Sequence, residues 1–529
     1  MIKLLDCTLR DGGYVNDWNF GKSTANYILE SLINAKVDFI EIGLLDQRVE
    51  FDINKTIVPN TNSFSKIFNN IDKKTSKIFA MIDYGTCGIE NIEESKDNFI
   101  DGIRIIFKKV NMYKAIDLAK QIKEKGYLVS LQLVSTTSYT DREILDFCDE
   151  INKLNPYSVA IVDTYGLMHK EELFHYFEIL NHNIRKGIVI GYHSHNNFQL
   201  AYANSIELLK INKNREIAID GSIYGMGKSA GNAPSELLAM HLNEFYKTDY
   251  KVDYILEALD STILKIYKKY YWGYSFKYYL SALNDCHPNY INYLIEKKTL
   301  SIKAVNEIIS QIEKSKKLNY DENHIENIYK IYQANKVDDE ISREKLKNEL
   351  LNKNILLLAP GKTLATNQDD IQKYIKDNNC IVIAINNIVN NYKLDYIFIS
   401  NSKRYSSLFY NLSNFNNLIA TSNITPTKNK FKYTLDYNKL IIEDGNIVDN
   451  SMLMFLQFLI DIGQKEVSIA GFDGFLLYKN SYYDEYLEYE VSTDTLELMN
   501  QQIKDFINKD KININFITPS IFKEEKENV

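Results

Sequence analysis

The chain has 529 residues, of which 45% are hydrophobic and 25% charged, which is enough apolar material for two or three separate cores. A net charge of −8 and a pI near 5.7 argue against a nucleic acid as the main partner. Five cysteines without paired metal spacing point to the reduced thiols of a cytoplasmic protein. The start, MIKLLDCTLRDGG, has no signal-peptide pattern, and no window reaches the roughly 18 apolar residues of a membrane helix, so no membrane partner is expected.

Apolar β-branched runs open the chain and alternate with helix-period segments. Strands are expected at 2–6, 37–45, 77–83, 102–107, 127–134, 158–163, 187–193 and 216–222, separated by amphipathic stretches such as STANYILESLINA and NMYKAIDLAKQIKEKG. Near-continuous apolar strands between helices mean a parallel sheet covered on its faces. Eight such units in about 250 residues fit a closed (β/α)8 TIM barrel, with an open doubly wound sheet as the competing α/β arrangement. The expected organisation is a barrel over 1–250, a helical extension and linker over 251–345, and an α/β domain over 350–529. In that last region ILLLA (355–359), IVIAIN (381–386), YIFIS (396–400), LIAT (418–421), VSIAGF (467–472) and ININF (512–516) read as strands of an open, Rossmann-like sheet.

A parallel barrel places its chemistry at the C-terminal ends of the strands. The first strand ends in DCTLRDGG, bringing Arg10 and Asp11 to the rim. The seventh ends in HSH, so two of the chain's eight histidines, His193 and His195, lie on one side of the chain. Closure leaves only the eighth strand between the first and the seventh, and that strand leads into YGMGKSAGNAPSELL, which carries Asn232 to the same rim. One carboxylate and two imidazoles with open positions suit a divalent cation that also holds substrate or water. Each part also has a plainer reading: an Arg10–Asp11 rim salt bridge, a polar strand end, a tight glycine turn.

Together DCTLRDGG, HSHNNFQLAYANS and GMGKSAGNAPSELL resemble the motifs of the DRE-TIM metallolyases, over roughly residues 1–300. That superfamily includes hydroxymethylglutaryl-CoA lyase, isopropylmalate and homocitrate synthases and 4-hydroxy-2-oxovalerate aldolase. The resemblance implies Mn²⁺ or Mg²⁺ on Asp11, His193 and His195, with Asn232 at the position of a fourth ligand in the lyases. It also implies that Arg10 steadies the enolate oxygen. Where the aldolases carry a basic histidine this chain has Tyr14, a weak base at an ordinary pKa of about 10; Asp17 is a second candidate, with a loop-capping role as its plainer reading. WGYSFKYYLSALNDCHPNY resembles the aldolase extension and makes Tyr274 a further catalytic candidate, while His287 reads as structural. Gln132 and Asp163 are the strand-end residues expected to touch substrate; Glu41, Asp83 and Arg104 share that position, with an interior hydrogen bond as the plainer role.

GMGKSAGN lacks the cysteine of hydroxymethylglutaryl-CoA lyase, which favours the aldolase branch. The expected activity is therefore a metal-dependent aldolase acting on a 4-hydroxy-2-oxo acid, with 2-oxo acid and aldehyde as small-molecule partners and a homo-oligomeric assembly. A Claisen-type acyl-CoA synthase and a non-catalytic sugar- or nucleotide-binding barrel are the alternatives. In the C-terminal region LLLAPGKTL is not a Walker A loop, because Leu356 stands where its first glycine belongs. The Pro-Gly turn and GFDG loop resemble the Rossmann-like domains of bacterial sialyltransferase-like proteins. They suggest an anionic ligand, a nucleotide or nucleotide-sugar, at a helix N-terminus, with a plain structural turn as the alternative reading.

Overall fold

The computed structural model describes residues 1–529 except 69–70, 212–214, 318, 413–414, 428–429, 443–447, 477–480, 484–491 and 524–529. The chain divides into two compact units, Met1–Pro288 and Asn289–Val529, so the helices expected over 251–345 are shared between them.

In the first unit eight parallel strands form β1 (Ile2–Asp6), β2 (Phe39–Leu45), β3 (Lys77–Asp83), β4 (Gly102–Phe107), β5 (Leu128–Leu133), β6 (Ser158–Asp163), β7 (Val189–Ser194) and β8 (Ile217–Gly221). β1 pairs with β8 on one side and with β2 on the other, with Leu5 opposite Phe39 and Asp6 opposite Ile40, and this closes the barrel. Side chains alternate along each strand. Ile40, Ile78, Ile103, Leu131, Ile161, Ile190 and Ile219 point out into one apolar core shared with the helices. Each such fully buried side chain contributes about 1.5–3 kcal/mol, which is why the strands read as unbroken apolar runs.

The inward positions divide by height. Leu5, Phe39, Phe79, Val189 and Ala218 plug the N-terminal half with hydrocarbon. Two residues further along β2 and β8 the same face carries Glu41 and Asp220, and β4 and β5 add Arg104 and Gln132, all fully or nearly fully buried. The barrel therefore holds a polar layer directly beneath its C-terminal rim. One connection departs from the repeating pattern: between β3 and β4 the segment GTCGIENIEESKDNFI makes two short 3-10 turns and no α-helix. Its glycines and scattered charges offer no apolar stripe for a helix to bury.

The second unit is an open sheet of seven parallel strands: β9 (Ile355–Leu358), β10 (Ile381–Ile385), β11 (Tyr396–Ile399), β12 (Leu418–Thr421), β13 (Tyr433–Leu435), β14 (Glu466–Ala470) and β15 (Asn513–Phe516). Their spatial order is β13-β12-β11-β10-β9-β14-β15, so the winding direction reverses between β9 and β14. The three-residue β13 adds an edge strand to the six read from the sequence. The helix Ser451–Asp461, SMLMFLQFLID, is buried on nearly every face and anchors the core of this sheet. Among the described residues no helix is long and apolar enough to cross a membrane, and all five cysteines are free thiols.

Candidate active site

The rim of the barrel brings Asp11, His193 and His195 together, with one potential ligand atom from each lying within 4.8 Å of the others. Asp11 belongs to a one-turn helix, Thr8–Asp11, that begins just past β1. His193 is the inward-facing residue near the end of β7, and His195 follows the strand and bridges to Asn232. All four residues are buried. The two imidazoles lie 5.2 Å apart and nearly perpendicular.

Hydrogen bonds fix which atoms face inward. His193 Nδ1 is 3.0 Å from Asp220 Oδ2, and His195 Nδ1 is 3.1 Å from the Lys228 carbonyl oxygen. Both partners accept, so each ring donates through Nδ1 and keeps the Nε2 lone pair available. Asn232 Nδ2 donates to Asp11 Oδ2 at 2.7 Å and to the Met226 carbonyl at 3.3 Å. This leaves Asn232 Oδ1 buried without a partner, a cost that an oxygen-seeking cation would remove. A Cβ at Gly227 would lie 2.2 Å from Asn232 Nδ2 and 2.5 Å from Asp11 Oδ2, so only glycine lets the loop approach this closely.

The charges point the same way. Arg10 donates through Nε to Glu41 Oε2 at 2.6 Å and through Nη1 to Asp11 Oδ1 at 2.5 Å. Arg104 donates to Glu41 Oε2 (3.1 Å), to Gln132 Oε1 (2.8 Å) and to Asp220 Oδ2. The two guanidinium groups thus face three buried carboxylates, Asp11, Glu41 and Asp220, and the excess negative charge attracts a cation. Burial works to raise the Asp11 carboxyl, but Arg10, both histidines and the Asn232 amide hold it well below the usual carboxylate range. Burial lowers His195 to about 4 against the pull of Asp11, so its imidazole is neutral at pH 7 and fit to ligate. An anionic carboxylate oxygen, two imidazole nitrogens and an amide oxygen suit a divalent cation.

The remaining candidates separate. Tyr14 stands at the mouth, edge-on to Trp18 at 4.7 Å and with Lys228 Nζ 5.3 Å from its ring centre. The residue as a whole is 40% exposed, but its hydroxyl end is desolvated, which pushes it up to about 12 despite Arg10 and makes Tyr14 a weaker base still than an ordinary tyrosine. Gln132 donates to Ser130 Oγ and accepts from Arg104, within the interior layer. Both carboxylate oxygens of Asp163 accept backbone N–H groups, from Leu167 at 2.8 Å and Met168 at 3.1 Å, which ties down the turn after β6. The structure does not bring Tyr274 into the Asp/His/His set: it is 54% exposed, and its carbonyl accepts from the Tyr271 hydroxyl. Asp17 pairs with Lys55 on the surface, and half-buried His287 has its pKa lowered by burial. Two contributors escaped the sequence reading, Asp220 and Lys228. Asp220 shares the inward parity of Ala218 in EIAIDGS, and that was the available signal.

Fold and rim together define a parallel barrel with a candidate metal centre at its C-terminal rim. Residues 1–261 match the HMGL-like family model, and this part of the chain is an HMGL-like, DRE-TIM domain. The chain is 24% identical over 309 residues to the oxaloacetate decarboxylase of Mycobacterium tuberculosis, across 57% of this chain and 89% of that protein. It is 25% identical over 277 residues to a 4-hydroxy-2-oxovalerate aldolase of Bacillus thuringiensis, across 50% of this chain and 77% of the relative. Among solved structures the HMG-CoA lyase of Bacillus subtilis covers 50% of this chain and 93% of its own, with 15% identity and a TM-score of 0.40.

Proposed function

We propose that the barrel is a divalent-metal-dependent aldolase that makes or cleaves a carbon–carbon bond of a 4-hydroxy-2-oxo acid through the enolate of pyruvate. The observation that carries this reading is the buried convergence of Asp11, His193 and His195 beside the Arg10 guanidinium. These three residues and Asn232 Oδ1 would hold the cation, which when bound supplies Lewis acidity to the 2-oxo group. Arg10, clamped by Glu41 and Asp11, keeps a fixed positive charge where the enolate oxygen develops, so nothing reorganises as the charge forms. In the condensing direction the enolate carbon attacks the aldehyde, the new C–C bond forms, and the Tyr14 hydroxyl gives its proton to the aldehyde oxygen, which becomes the C4 hydroxyl. We place the protein in the cytoplasm, where its free cysteines stay reduced.

One observation favours a second reading, an oxaloacetate-type decarboxylase. Tyr14 is held as a donor, and decarboxylation has no hydroxyl to deprotonate. The C3–C4 bond breaks, CO2 leaves, and the electron pair stays in the enolate, which takes a proton at C3. The similarity to a named oxaloacetate decarboxylase supports it.

The test is solvent exchange. Full-length protein with Mn²⁺ should move deuterium from solvent into the pyruvate methyl group, lose this with EDTA, and regain it with Mn²⁺ or Mg²⁺. The His193→Ala/His195→Ala variant should not exchange. Without metal-dependent exchange both readings fall; oxaloacetate turnover without aldehyde then distinguishes the second from the first.

A further inference from the structure

The rim carries a cation that the proposed reaction does not use. Lys228 lies in the loop between β8 and the helix Ser235–Tyr246, and its backbone is tied to two of the expected metal ligands. Its N–H donates to Asp11 Oδ2 at 3.2 Å, and its carbonyl accepts from His195 Nδ1 at 3.1 Å. The same carbonyl accepts from the Gly231 N–H at 3.0 Å, and the Ala230 N–H donates to Asn197 Oδ1 at 3.2 Å. Ser229 turns the loop in the left-handed region, at a φ of 60°. The Lys228 backbone is thus fixed beside Asp11 and His195 before any substrate arrives.

The half-buried side chain leaves the metal ligands and runs to the mouth. Its ammonium lies over the Tyr14 ring, 5.3 Å from the centre, a contact that steers the amine without neutralising it. Arg10, Arg48 and Arg104 each donate to carboxylates; among the described residues Lys228 forms no such pair. The nearby acids are otherwise engaged. Asp11 accepts from Arg10, from Asn232 and from the Lys228 N–H itself. Burial raises the Asp83 carboxyl, and the pull of Lys108, Arg48 and Lys228 does not overcome it. His287, lowered first by burial, feels Lys228 and Lys108 as well, so positive potential extends across this part of the barrel. A positioned ammonium without an internal counter-ion suits an anionic group on the ligand. In the proposed condensation Tyr14 gives its proton to the aldehyde oxygen, so the aldehyde half of the substrate is the part beside the Tyr14 ring and this ammonium.

We propose that Lys228 seats an anionic group on the aldehyde, so that the substrate is a 4-hydroxy-2-oxo acid bearing a second acid group, a carboxylate or a phosphate. This rests on the aldolase reading of the barrel. The test is aldehyde preference in the full-length protein supplied with Mn²⁺ and pyruvate. Succinic semialdehyde against pentanal reads a carboxylate; glyceraldehyde 3-phosphate against glyceraldehyde reads a phosphate. In at least one pair kcat/KM should favour the anionic aldehyde by about tenfold or more, the usual worth of a charge-assisted contact. Lys228→Gln should bring that ratio near one while elemental analysis still finds bound Mn²⁺, and Lys228→Arg should restore it. If Lys228→Gln does not fold, Lys228→Met, which keeps the stem against Tyr14, decides. Equal kcat/KM within both pairs, or a preference that survives loss of the charge, would overturn the proposal. Deuterium exchange into pyruvate needs no aldehyde. Exchange without an anionic preference therefore sinks this inference alone, whereas no exchange sinks it together with the aldolase reading.

Discussion

Asp220 Oδ2 lies 3.0 Å from His193 Nδ1, and the same oxygen accepts from Arg104. This carboxylate sets the His193 tautomer from below and is itself held by a buried guanidinium. The pair makes the polar layer inside the barrel the support of the rim above it. Asp220→Asn keeps the shape but removes the charge, so Mn²⁺ affinity should fall by about 10–100-fold, read by Mn²⁺ titration with electron paramagnetic resonance. Unchanged affinity would mean that His193 is oriented by other contacts.

Gly227 tests the packing of the same site. Its Cβ position is occupied by Asn232 Nδ2 and Asp11 Oδ2, the ends of two buried side chains held in place by the hydrogen bond between them. Gly227→Ala should cost about 1–3 kcal/mol of stability, as overpacking does, and should reduce bound Mn²⁺. Urea denaturation and elemental analysis read the two effects; a variant with normal stability and normal metal would show that the loop simply shifts.

A pH dependence follows from Asp163. Burial raises its carboxyl to about 7 against the backbone N–H groups that lower it, whereas an unfolded aspartate titrates near 3.9. Between those values the folded state binds more protons than the unfolded one. By linkage, stability from this group is fully present below about pH 4 and is lost as pH rises through about 7. Asp6, raised to about 6 by burial, acts in the same direction. Urea midpoints at several pH values across this window should therefore fall as pH rises, and fall less in Asp163→Asn. Equal slopes in the two proteins would show that Asp163 is ionised throughout.

The barrel was legible because its strands are buried on their outer faces and so read as unbroken apolar runs; four of the eight, at 2–6, 77–83, 102–107 and 158–163, have the bounds expected from the sequence. Asp11 and the two histidines were legible because they stand just where those runs stop. Asp220 was not, since one acid inside EIAIDGS reveals its role only once its inward parity and the distant His193 are known together. The Pro-Gly turn looked like a vacant anion seat for the same reason: Asp473, which fills it, is 110 residues away in sequence. Strand β13 has only three residues, too few for a period to show. Contacts that join distant segments carry no local signature.

On the proposed function, Tyr14 is the residue that delivers a proton at this rim. Its ring is held between Trp18 and Lys228, and its hydroxyl stays protonated to about pH 12 because burial outweighs the nearby Arg10. A donor fixed at the mouth serves the step in which a proton is delivered, to the C4 oxygen in condensation or to the enolate carbon after CO2 leaves. Tyr14→Phe removes that proton and little else, since the aromatic stack with Trp18 remains. Metal content should match the unchanged protein, while turnover should drop by about 10²–10⁴-fold, the usual contribution of a positioned acid. Steady-state rates with pyruvate plus aldehyde, and separately with oxaloacetate, check this beside elemental analysis. A variant that retains full turnover with both would leave Tyr14 as a wall of the site, with the proton delivered by solvent.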